Sequence, residues 1–323
     1  MNRVLIAAAT AVTALVLGAG SALAQSYPSK PVRIINPFPP GAANDVIARA
    51  LAAKLSERWK QAVIVDNKTG ASGNIGMEYV ARAPADGYTF VIGANTMAMV
   101  PWLFPKLGFD MLKDFAPVLY VGDVGGVVVV RPDFPAASLR ELIEYARAHP
   151  GKVSYASSGS GSPQHIVAEY FNALAKVETL HVPYKGAAQS WVALMSGEVD
   201  MTFGAVSSAA PLIQAGKLKA LAVGSKTRSD SLPGVPSSVE AGLPGLEFGF
   251  WYGIFAPAHT PQPIIDRFYQ DASEILAGAE LKANLAQQHF DIVNGSPRQL
   301  GELLERDYRR WGKVINDAGI RTQ

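Results

Sequence analysis

Short β-branched runs alternate with longer segments of helical period along most of the chain. VRIIN at 32–36 precedes a predicted helix over about Val46–Trp59, in which Ile47, Leu51 and Leu55 recur every four residues and so share one face. AVIVDN at 62–67 leads through KTGASG into a predicted helix near Asn74–Ala83, and YTFVIG at 88–93 leads into ANTMAMVP. Three rounds of strand, glycine-bearing loop and helix predict a parallel sheet with helices on its faces.

The same order restarts after a break. VGGVVVV is a continuous apolar run followed by a proline-marked turn, then by a helix in which Ser138 and Glu141 have capping-box spacing. KVSYAS (152–157), TLHVPY (179–184) and EVDMTF (198–203) each lead into a predicted helix, starting at Pro163, at about Ala188 and at about Ala209, the last closed by Gly216. FWYGIFAPAHTPQPIIDRF (250–268) repeats strand, proline turn and helix a further time. Crossings near residue 125 and within 220–250 bracket the second unit, so the chain reads as two α/β lobes. Lobe 1 is 25–124 together with 226–323, lobe 2 is 125–225, and two crossover hinge segments join them around a central cleft. DYRRWGKVINDAGI, with Trp311, Val314 and Ile315 on one face, predicts a closing helix packed on lobe 1.

Composition narrows the class. Arg3, the apolar run Val4–Leu17 and Ala22-Leu23-Ala24 have the pattern of a cleavable secretory leader over 1–24, which predicts a periplasmic product. With 29 Lys and Arg against 27 Asp and Glu, nothing points to nucleic acid or anionic lipid. The absence of cysteine excludes disulfides and thiolate metal sites. The 30 glycines and 22 prolines show no period and mark tight connections.

In an open α/β sheet, ligands sit beyond the carboxyl ends of the strands. The loops there are NPFPPGAAND (36–45), NKTGASGN (67–74), GANTMA (93–98), SSGSGSPQH (157–165), PYKGAAQS (183–190) and FGAVSSAA (203–210). They are made of small, hydroxyl and amide residues with hardly any charge. Uncovered backbone N–H groups at helix N-termini suit a carboxylate or phosphate without arginine. Asn44 and Asp45 read most simply as helix N-cap residues, Gly41 as a turn, Ser162 as an N-cap and Pro163 as the first helical residue. His165 either bonds an anionic ligand or ties its loop; Lys185 reads as solvated; Phe38, held in a loop by prolines, is the best aromatic wall for a ligand.

Catalytic patterns fail. G-x-S-x-G and G-x-x-x-x-G-K-[ST] are absent, GSGSPQ lacks the third glycine of a dinucleotide loop, and the five histidines contain no H-E-x-x-H. His165 with Glu169 is a weak metal pair. The expectation is no enzyme, no cofactor and no metal, the enzymatic alternative being a secreted hydrolase using a loop serine with His165.

YPSKPVRIINPFPPGAANDVIARALAAKLSERWKQAVIVDNKTGASGNIGMEYVARAPADGYTFVIG, KDFAPV, HVPYKGAAQSWVALMSGEVDMTF, GKLKALAV, LPGVPSSVEAGLPG and RWGKVINDAGI occur in that order. Together they make the chain closely resemble the substrate-binding proteins of tripartite tricarboxylate transporters, the Bug family. The resemblance implies a type II periplasmic-binding-protein (Venus-flytrap) fold, acting as a monomer that captures a small carboxylate between its lobes for membrane permease subunits. A ligand sensor for an extracytoplasmic signalling domain is the alternative with the same cleft. By position, the resemblance carries ligand contacts to Phe38, Ala42, Ala43 and Asn44 of lobe 1, to Thr96 after the third strand, and to Ser158, Gly159, Ser160 and His165 of lobe 2. It adds Ala205 and Val206 after EVDMTF. The chain departs from the family at Ala42, commonly glycine, and at Gly204-Ala205, often Asp-Asn. The expectation is a roomier, less polar wall and a ligand with an apolar or aromatic distal end.

Overall fold

Ten strands and ten helices, with one 3-10 turn, build the residues described by the computed structural model, which are 27–320 apart from 42, 105 and 288. The leader read at 1–24 and the expected contact Ala42 lie outside them. In chain order, β1 (Val32–Asn36), α1 (Ala43–Trp59), β2 (Val63–Asn67), the 3-10 turn Ala71–Gly73, α2 (Asn74–Ala81), β3 (Thr89–Ala94) and α3 (Thr96–Leu103) form the first α/β unit. β4 (Phe115–Val130) leads to α4 (Leu139–Ala148), β5 (Ser154–Ser157), α5 (Pro163–Ala175), β6 (Leu180–Pro183), α6 (Ala187–Ser196), β7 (Met201–Ala205), α7 (Val206–Gln214) and β8 (Lys219–Val223). β9 (Gly249–Pro257), α8 (Gln262–Ala277), α9 (Ala279–Ala286), β10 (Asp291–Gly295) and α10 (Pro297–Asp317) complete the order.

The crossing read near residue 125 falls in the middle of one 16-residue strand, not in a loop. β4 pairs with β9 and β10 through Phe115–Gly125, and with β7 and β8 through Gly126–Val130. The expected parallel sheets are therefore mixed. β2-β1-β3 and β6-β5-β7 are parallel, whereas β9 runs antiparallel to both β3 and β4, and β7 antiparallel to β4. The reason is connectivity: β4 carries the chain out of lobe 1 and β9 brings it back, so the two must run in opposite directions.

Burial follows the pattern read from sequence. Val127–Val130 are all fully buried, with Val127 and Val129 on one face and Val128 and Val130 on the other, as a continuous apolar run in a sheet covered on both sides requires. Ile47, Leu51 and Leu55 pack α1 onto Ile34, Phe90 and Ile92. A second core runs without interruption from Val91 and Phe255 in lobe 1 to Tyr155, Phe171 and Phe203 in lobe 2.

After β8 the chain stays on lobe 2: Tyr170 Oη of α5 donates to Gly245 O at 2.8 Å, and Leu243, Leu246 and Phe248 pack with α4 and α5. α10, expected on lobe 1 alone, touches both lobes. Trp102 of α3 lies against Gly312, while Trp311 meets Tyr170 of α5 edge-on with ring centres 5.7 Å apart. Its start is a capping box, Ser296 with Gln299. Ser138 caps α4 by accepting from Glu141 N at 3.2 Å, but the Glu141 carboxylate takes the Ala137 N–H at 2.7 Å, one residue before the position a reciprocal box uses.

Candidate ligand-binding cleft

Asn44 and Asp45 do not cap α1, which starts at Ala43 and leaves both inside its first turn. Asp45 is instead the hub of a buried network. It accepts from Gly41 N (3.0 Å), Arg49 Nε (2.9 Å), Asn67 Nδ2 (3.0 Å) and Asn36 Nδ2 (3.4 Å). Asn36 Oδ1 accepts from Phe38 N at 3.2 Å, and Asn67 Nδ2 donates to Phe38 O at 3.0 Å, so both backbone ends of Phe38 are fixed. The Arg49 guanidinium first, then the Gly41 and Asn67 donors, hold the Asp45 carboxyl far below the usual range. Asn44 is 7% exposed, and its buried Nδ2 has no hydrogen-bond partner among the described residues.

Phe38 is one wall of a cavity of ≈ 210 Å³ between the lobes. Lobe 1 supplies Phe38, Ser72, Thr96, Met99, Val100 and Leu103; lobe 2 supplies Ser158, Ser160, Gly161, Ser162 and Pro163. None of these side chains is charged. The hydroxyls of Ser72, Thr96 and Ser160 have no hydrogen-bond partner among the described residues, whereas Ser158 Oγ donates to Gln164 Oε1 at 2.9 Å. Ser162 caps α5 with Pro163 at its first position, as expected.

Of the sequence-predicted contacts, Phe38, Thr96, Ser158 and Ser160 are thus brought together. Ala43 packs against the lobe 1 core, and Gly159 sits behind the serines with its N–H on Ser157 Oγ at 3.2 Å. Ala205 and Val206 lie where β4 crosses between the lobes, Ala205 paired with Gly126 and Val206 fully buried. α7 starts at Val206, three residues before the expected start, which draws both residues out of the loop. The room expected at Gly204 is taken: a Cβ there would come within 2.5 Å of the Trp191 ring. Positions 204–206 line no part of the ≈ 210 Å³ cavity, so the room expected there is not found.

Ser72, Met99, Val100 and Leu103 were missed. Ser72 belongs to a loop already marked by its small residues, and its φ of 58°, next to Ala71 at 47°, is a left-handed backbone no sequence signal announces. Met99, Val100 and Leu103 are almost fully buried and carry the pattern of ordinary core.

His165 ties the loop. Its Nδ1 accepts from Gly161 N at 3.0 Å, and its ring stacks on His181 at 3.9 Å, which stacks in turn on Tyr155 at 4.9 Å. His181 Nε2 meets Ser157 Oγ at 2.6 Å, and Tyr155 Oη donates to Glu169 at 2.7 Å. Burial, then the neighbouring His165, pushes His181 down to about 4, with Glu169 opposing. An unfolded histidine titrates near 6.5, so stability held by neutral His181 is complete above that pH and is lost as the pH falls toward 4. Partial solvent access limits this to roughly 1–2 kcal/mol. In urea titrations of wild type and His181→Phe, the stability difference should narrow by about that much between pH 7 and 4.5; parallel pH curves would refute the assignment.

A larger concavity, ≈ 630 Å³, lies where the crossing strands meet α10 and shares no residue with the serine loops. Asp123 there is pushed up to about 6, chiefly by burial, and bonds to Tyr120 Oη.

Residues 47–320 match the family model described as "Tripartite tricarboxylate transporter family receptor". The chain is 33% identical over 300 residues to protein BugT of Bordetella pertussis, covering 92% of each. An R. palustris protein solved with adipate is 34% identical, with a TM-score of 0.81 over 92% of this chain and 100% of that one. MatC from Rhodopseudomonas palustris, solved with bound malate, is 31% identical, with a TM-score of 0.77 over 90% of this chain and 100% of its own.

Proposed function

We propose that this chain, which belongs to the tripartite tricarboxylate transporter receptor family of periplasmic solute-binding proteins, captures a small carboxylate in the inter-lobe cavity and delivers it to membrane permease subunits. The observation that carries the reading is an uncharged cavity between Phe38–Thr96 and Ser158–Ser162, lined by hydroxyls and by the start of α5. Phe38, Thr96, Ser158 and Ser160 are the assigned contacts, with Asn44 and Gly159 behind them. Lobe 2 is taken as 126–248, which moves the return crossing from residue 226 to Gly249, because the intervening segment packs on α4 and α5. Residues 1–24 act as the export leader, removed on secretion. Ligand shifts the lobes toward closure by binding donors on both.

The test is a thermal-shift screen of the mature protein against mono-, di- and tricarboxylates. An acid at a hundred times its Kd should add about 2.7 kcal/mol, or several degrees. Ser160→Ala should weaken that acid by roughly 10- to 100-fold, the worth of a hydrogen bond to a charged group. Asn44→Ala, with Asp45 intact, should weaken binding while leaving the unliganded melting temperature in place, because its Nδ2 has no hydrogen-bond partner to lose among the described residues. A screen in which no carboxylate stabilises the protein would overturn the reading.

A further inference from the structure

We propose that the ligand carries a single carboxylate on an apolar body, linear or aromatic, and that this cleft selects against a second charged group. The inference rests on carboxylate capture being the function of the cleft. It comes from how the lining is distributed along α3. Thr96 stands at the helix start with a free hydroxyl, whereas Met99, Val100 and Leu103 continue the wall with methyl and thioether groups only. At a rise of about 1.5 Å per residue, Leu103 lies roughly 10 Å along the axis from Thr96. The α3 side of the cavity therefore offers one hydroxyl, at the helix start, and only methyl and thioether groups beyond it.

Volume and charge agree with that polarity. A space of ≈ 210 Å³ is on the scale of a small organic acid rather than an extended ligand. A carboxylate at the start of α5 meets the hydroxyls that line the lobe 2 side. A second one against Met99, Val100 and Leu103 would lose its water without gaining a side-chain donor from that wall or a cation, since no Lys, Arg or His lines the cavity. Nor can the β7 end of lobe 2 supply a polar partner from position 204, because the Trp191 ring occupies the space any side chain there would need. An apolar tail on the same wall loses nothing and buries its surface against Phe38 and Val100.

Isothermal titration of the mature protein with hexanoate, benzoate, hexanamide, adipate and malate tests this. Hexanoate or benzoate should bind at least a hundredfold more tightly than adipate, malate and hexanamide. Tight adipate or malate with both monoacids silent would overturn the proposal and leave carboxylate capture standing. Silence of every acid, or hexanamide equal to hexanoate, would instead sink the functional reading beneath it. Phe38→Ala, checked by its melting curve, should weaken benzoate at least tenfold; a folded variant with unchanged benzoate affinity would remove Phe38 from the apolar wall and overturn this part of the proposal.

Discussion

Asp45→Ala is expected to lower the unfolding free energy by about 3 kcal/mol and to abolish measurable ligand binding at micromolar protein. Four donors converge on this carboxylate, and three of them are Gly41 N in the β1–α1 connection and the Nδ2 groups of Asn36 and Asn67 at the ends of the paired strands β1 and β2. Its side chain is 6% exposed. Removing it leaves the fully buried Asn36 Nδ2 without an acceptor, which costs more than the bond itself contributes, and takes one bond each from Gly41 N and Asn67 Nδ2. The same loss frees Phe38, whose backbone is held at both ends by Asn36 and Asn67. Arg49 is half exposed, so its ion pair adds little beyond the hydrogen bond. The sign of the pH dependence follows from a carboxyl held below its usual range: the contribution is present above about pH 4 and disappears as the pH falls further. Wild-type and variant stabilities should therefore converge in acid. A variant that melts within a degree of wild type at pH 7 would contradict the network.

Gly126→Val is the second large effect, expected at about 3 kcal/mol. Gly126 sits where β4 passes from one lobe to the other, and its carbonyl accepts from Gly224 N at 2.8 Å. Phe248 N in turn donates to Gly224 O at 2.9 Å. The Phe248 ring lies across both glycines, so that a Cβ on either would overlap it; at Gly126 the Cβ would also stand 2.6 Å from the Phe248 carbonyl oxygen. The ring can yield, but the backbone oxygen cannot without parting the crossing strands. Adding Phe248→Ala to Gly126→Val should therefore recover only part of the loss. Full recovery in the double variant would show that the ring alone made the site intolerant.

Sequence pattern carried the element order well because periodicity and burial are tied directly: Ile47, Leu51 and Leu55 recur as read, and Val127–Val130 are buried on both faces. It failed where long-range pairing decides. KDFAPV joins VGGVVVV in one strand only because β9 and β7 offer partners along its whole length. Asn44 and Asp45 were misplaced by one turn, since a polar pair before an apolar run looks like a cap whether or not the helix has already begun. Phe38, Thr96, Ser158 and Ser160 were legible as loop residues at strand ends. Ser72 depended on a left-handed backbone, and Met99, Val100 and Leu103 on a wall that is also core. The role of His165 rested on one bond, Gly161 N to Nδ1, which sequence leaves open.

Amide hydrogen exchange with and without saturating benzoate tests the central claim, that one ligand is gripped by both lobes. The account predicts that residues 36–45 and 157–165 gain protection together, at least tenfold, at the same benzoate concentration. Protection confined to one of the two loops, or falling on the crossing-strand concavity around Asp123 and Trp311 instead, would contradict it.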